Sequence, residues 1–152
     1  MALDKEGQLV IIENKLDDSG RDVVWQALKY ASYCSSLTTK DIVKIYQQYL
    51  DREAATNSSE RIDAVEQLCE FFVAPGLDEM KLNPGNNQRV ILIAANFRKE
   101  VTSTALWLLG KGVEIQCFKV TPYSLDDQLL LNIDQIFPTP EASELMIGIN
   151  AK

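Results

Sequence analysis

Leu9-Val10-Ile11-Ile12-Glu13-Asn14-Lys15 is a short apolar run, rich in β-branched residues, that closes on a charged pair. A run of this length and composition predicts a strand buried on both faces, with charge delivered at its end. Alternate strand residues share a face, so Glu13 and Lys15 project together, about 7 Å apart along the strand. Upstream, Asp4-Lys5-Glu6-Gly7 reads as a tight turn that sets Asp4 opposite Gln8. Downstream, Asp17-Asp18-Ser19-Gly20 reads as a loop leading into a helix over residues 21–35. Asp22 falls in its first turn, where the helix dipole favours a carboxylate. Trp25, Leu28 and Tyr33 are expected to supply part of its apolar surface.

The same alternation of buried runs and amphipathic periods continues outward. Thr38 with Asp41 resembles a capping box, with Asp in place of Glu. Ile42, Ile45, Tyr46, Tyr49 and Leu50 then follow the spacing of one helix face over residues 39–53. Asn57-Ser58-Ser59 breaks the chain and starts a third helix, residues 58–73, with Ile62, Val65, Cys69 and Phe72 on one stripe and Pro75-Gly76 at its end. After the turn Asn83-Pro84-Gly85, strands are expected at 89–96 and 113–120, the second closed by Pro122. A helix over 98–110 joins them, which makes a parallel crossover. Residues 129–137 read as one further edge strand. Trp25 and Trp107 are expected as core or partly buried anchors, and Tyr46, Tyr49, Phe71 and Phe72 as packing rather than ligand contact. The whole reads as one α/β domain over residues 1–152, a mixed or parallel central sheet flanked by helices.

Composition narrows the chemistry. There is no histidine among the 152 residues, which excludes Ser-His-Asp triads, Cys-His pairs and His-built zinc sites. Three dispersed cysteines, Cys34, Cys69 and Cys117, read as buried free thiols of a reducing compartment. With no apolar run near the ~20 residues of a membrane span and no signal-peptide layout at the start, the sequence points to the cytoplasm. The net charge of −7 disfavours nonspecific nucleic-acid binding. Much of it sits in residues 51–87, an acidic face. No Gly-rich phosphate loop is present.

A carboxylate beside an ammonium at a strand end suits phosphodiester cleavage. The carboxylate holds Mg²⁺ through oxygen, and the lysine orients the attacking water or neutralises developing charge. Gln26 and Tyr30 follow at helical i, i+4 spacing, hence on one helix face. Val10-Ile11-Ile12-Glu13-Asn14-Lys15 with Gln26-Ala27-Leu28-Lys29-Tyr30 resembles the PD-(D/E)XK nuclease superfamily, in particular its RecB-like and NucS-like nuclease domains. That resemblance covers roughly residues 3–33. It implies a restriction-endonuclease-like core and a metal-dependent DNA endonuclease, with Glu13 as metal ligand, Lys15 as catalytic lysine, and Gln26 and Tyr30 lining the site.

One departure is serious. The family pairs Glu-x-Lys with an Asp on the preceding hairpin strand. If residues 4–7 form the turn, Asp4 lies five residues from the level of Glu13, some 17 Å away at about 3.3 Å per residue. The chain therefore reads as a core lacking its first strands, a truncated or degenerate copy. Its lone Glu13 should hold Mg²⁺ weakly, and it should be inactive by itself. Asp17 or Asp18 could complete the ligand set, although both read first as loop residues. The alternative function is a non-catalytic nuclease-fold module that binds nucleic acid or protein, and a third option is an unrelated small-ligand domain. The edge of the first buried strand, left open, is expected to support a homodimer.

Overall fold

The structure is a computed structural model in which residues 1–15, 20, 22–86 and 88–139 are described. Five strands form one mixed sheet in chain order: β1 (Ala2–Leu3), β2 (Leu9–Asn14), β3 (Arg89–Ala94), β4 (Ile115–Leu125) and β5 (Gln128–Phe137). β2, β3 and β4 run parallel, and β1 and β5 are antiparallel to their neighbours. Among the described residues, four α-helices accompany them: α1 (Val23–Cys34), α2 (Thr39–Asn57), α3 (Ala64–Phe72) and α4 (Lys99–Leu109). The expected α/β class, with a mixed sheet and helices, holds.

Two apolar clusters carry the packing. In the larger, Val23, Val24 and Ala27 of α1 and Val101, Ala105 and Leu108 of α4 bury against Val90, Leu92, Ile115 and Cys117. These four strand residues share one face of the sheet by register. The smaller cluster gathers Leu9, Ile42, Leu68, Met80 and Leu82 where α2 and α3 meet the start of β2. Among the described residues, no helix is long and apolar enough to cross a membrane.

The turn before β2 forms as expected. Gly7 N–H donates to Asp4 carbonyl at 3.1 Å, and Asp4 N–H to Gln8 carbonyl at 3.1 Å. Gly7 has φ +81°, and an added Cβ would lie 2.5 Å from the Lys81 carbonyl oxygen, so only glycine fits here.

The capping box of α2 is complete. Asp41 carboxylate accepts from Thr38 hydroxyl at 2.6 Å and from Thr38 N–H at 2.9 Å, and Asp41 N–H donates back to Thr38 Oγ1 at 3.3 Å. The hydroxyl bond first, then the backbone bond, holds the Asp41 carboxyl below its ordinary value of 3.8. A folded pKa below the unfolded one stabilises fully above the unfolded value and is lost as pH falls through the folded value. Asp41→Asn is therefore expected to flatten the acid limb of stability below pH 3.8, read as urea midpoints against pH.

Several sequence readings are corrected. α1 starts at Val23 with Asp22 as its N-cap residue, one position before the first turn. Its buried residues are Val23, Val24 and Ala27, while Trp25 and Tyr33 stand 68% and 66% exposed. Trp107 is also exposed, so neither tryptophan is a core anchor. The aromatic positions follow helical spacing, but the small β-branched residues and alanines take the narrow gap between helix and sheet. Tyr49 and Phe71 are exposed at 50% and 38%, but they pack as expected, Tyr49 stacked on Tyr46 at 6.4 Å and Phe71 edge-on to Phe72 at 4.9 Å.

Boundaries shift too. α2 runs to Asn57, and α3 starts only at Ala64, because Asp63 carboxylate accepts from Val65 and Glu66 N–H at 2.8 and 3.0 Å. α3 then stops at Phe72, with Val73 in the left-handed region before Pro75-Gly76 is reached. Pro122 does not close β4, which continues to Leu125 with only β5 beside it beyond Lys119. Proline is tolerated on such an edge, where no ladder hydrogen bond is demanded of it. Of the cysteines, Cys117 is buried, and Cys34 and Cys69 are only partly so.

Candidate functional site

β2 delivers Glu13 and Lys15 to the sheet face that carries α1. The ladder places Glu13 beside Leu92, and Lys15 N–H continues it by donating to Ile93 carbonyl at 2.8 Å. α1 crosses this strand end and lowers Gln26 onto it. Lys15 Nζ donates to Gln26 Oε1 at 2.7 Å and lies 2.9 Å from Glu13 Oε1. The three side chains thus form one hydrogen-bonded group. Strand parity brings the first two together, and the packing of Val23, Val24 and Ala27 brings the third.

Tyr30 lies one turn beyond Gln26 and is 44% exposed, with Lys29 Nζ 5.0 Å from its ring centroid. It is outside the hydrogen-bonded group. Asp17 and Asp18 lie outside the described residues. Asp4 is committed elsewhere. Its Oδ1 accepts from Glu6 and Gln8 N–H, and its Oδ2 meets Arg89 Nη1 at 3.1 Å. The register Ala2 to Val10 and Leu3 to Leu9 puts this turn at the opposite end of β2 from Glu13. The outer edge of β2 from Ile11 to Asn14 has no partner strand among the described residues.

The described residues contain no group of three or more Cys, Asp or Glu side chains able to hold a metal ion. Nor does a thiol offer a nucleophile at neutral pH in the core, since burial pushes Cys117 up to about 12. A sizeable groove lies elsewhere. It has a volume of about 770 Å³, runs between β1, α2 and α3, and is lined by Leu3, Ile42, Tyr46, Tyr49 and Phe71 among others. It shares no residue with the Glu13 group, so volume and chemistry point to different places. The groove is mostly apolar, with Arg52, Gln67 and Glu70 among the polar side chains that line it.

Sequence reading missed Asn83. It is buried, has φ +56°, and its amide donates to the carbonyls of Cys34, Ser35 and Leu37 at 3.2, 3.1 and 3.0 Å. It ties down the C-terminal end of α1, the helix that carries Gln26. The available signal was an Asn before Pro-Gly, which reads equally well as an ordinary turn residue. Comparison of the chain with family models, with curated proteins and with solved structures returns no match.

Proposed function

We propose that this chain is a PD-(D/E)XK-type nuclease-like domain retaining the Glu-x-Lys part of a DNA-cleaving site, and that residues 1–152 do not cleave DNA by themselves. The observation that supports the reading is the Lys15 ammonium held between Glu13 at 2.9 Å and Gln26 at 2.7 Å. An ammonium has three N–H donors. Two are placed on these partners, which aims the charge while a further N–H can reach a phosphate oxygen or a water. β1 pairs antiparallel with β2 only at Ala2 and Leu3, so among the described residues no strand lies opposite Glu13 on that edge to supply the second carboxylate the resemblance implies.

Magnesium fits the described residues poorly. Mg²⁺ demands near-octahedral oxygen coordination, and this group offers it one carboxylate, already engaged by Lys15. Glu13 is the residue that would hold the ion, and a bound ion would polarise the phosphate. No hydrolytic step follows from the present ligand set. The single carboxylate favours the second reading, a nuclease-fold module that binds DNA or protein without catalysis.

The test is a cleavage assay with Mg²⁺ and with Mn²⁺ on single- and double-stranded DNA, beside Glu13→Ala. The expected result is no metal-dependent cleavage above the Glu13→Ala background. Robust cleavage that disappears in Glu13→Ala would show that further carboxylates complete the site, and the non-catalytic reading would fall.

A further inference from the structure

The sheet has a second face, on which no described helix packs. Strand alternation and the ladder registers place Ile12, Ile91, Ile93, Phe118 and Val120 there. The row continues along the β4–β5 hairpin as Ile133, Leu131 and Leu129, opposite Val120, Pro122 and Ser124. Ile12 is 36% exposed, and Leu131, Ile133 and Leu129 are 59%, 61% and 74% exposed. The larger core cluster lies wholly on the opposite face.

This face has two halves of different shape. Next to β2 and β3 it is a bed, with Ile91 and Ile93 half-buried. Beyond Lys119, where β3 stops pairing, β4 and β5 continue as a two-stranded arm. A two-stranded ribbon is at best marginal in water, and a contiguous exposed apolar row marks a contact surface.

We propose that the chain forms a two-fold homodimer through this face, the arm of each protomer lying over the sheet bed of its partner. A two-fold contact sets the same patch against itself. It therefore needs one surface that supplies both a projection and a bed, and it needs that surface to carry no net like charge. The chain has 22 Asp and Glu residues and a net charge of −7, which opposes self-association over most of its surface. Among the described residues, no carboxylate occupies a strand position on this face. Arg89, the one charged strand position on this face among the described residues, lies at the far end and is paired with Asp4 and Glu114. The contact is distinct from the open edge of β2 and does not depend on the Glu13 group.

Sedimentation equilibrium of the full chain across a dilution series tests it. The expected mass is twice the 17.1 kDa of one chain. The double variant Leu129→Asp/Leu131→Asp should weaken the dimer by about a hundredfold or more, the scale of a central contact, with an unchanged circular dichroism spectrum. Ser124→Glu, at an exposed position with no apolar burial to lose, should act in the same direction. Trp107→Asp on α4, the helix on the other face, should stay dimeric. A wild-type monomer at every concentration, or a dimer that all the arm variants leave intact, would overturn the proposal.

Discussion

Asn83→Ala is expected to lower the free energy of unfolding by about 3 kcal/mol, because the half-buried Ser35 and Leu37 carbonyls each lose their donor at about 1–3 kcal/mol, while the Cys34 carbonyl keeps the Leu37 N–H. The Cys34, Ser35 and Leu37 carbonyls all accept from this one amide, whose own oxygen accepts from Gln88 Nε2 at 2.9 Å. Water reaches part of the vacated site, which keeps the total below the simple sum. Alanine also fits the left-handed φ of +56° less well than asparagine. Asn83→Asp keeps the acceptor and removes both donors, so it should lose nearly as much. Equilibrium urea unfolding gives both values. A loss under about 1 kcal/mol for alanine would mean that the carbonyls find other partners. The consequence reaches the site, because the end of α1 is what this amide secures.

Leu92→Ala should cost about 3 kcal/mol, within the range for a large-to-small change at a site that cannot collapse. Leu92 is fully buried, stands beside Glu13 and Cys117 in the ladders, and packs with α1 and α4. Sheet neighbours on two sides and helices above leave no easy relaxation into the space. An unchanged urea m-value would show that stability alone has moved. Leu92→Met, which nearly conserves volume, should cost under about 1.5 kcal/mol.

The three strands at 9–14, 89–94 and 115–120, and the Thr38–Asp41 cap, were legible because each depends on local pattern or on side chains three residues apart. The meeting of Glu13 with Lys15 was legible for the same reason, since strand parity is a local property. Gln26 reaching Lys15 was expected from spacing and from the resemblance, but its distance depends on how α1 seats Val23, Val24 and Ala27 on the sheet. Tyr30, on the same helix face, stays outside the group because its turn lies further along α1. Trp25 and Trp107 misled because apolar character does not say which side of a helix is covered.

By itself the sequence determined the α/β class, the absence of histidine chemistry, and the pairing of a carboxylate with an ammonium at the end of a buried strand. These follow from composition and from periods of two or a little under four residues, which the backbone imposes wherever the chain goes. Only the tertiary structure decided that one face of the sheet carries no helix among the described residues, that β4 runs past Pro122 as an arm, and that Asn83 anchors α1. An apolar run such as Arg89–Ala94 has the same appearance whether one face or both are covered. Covering is a property of what packs above a strand, contributed by residues far away in the chain.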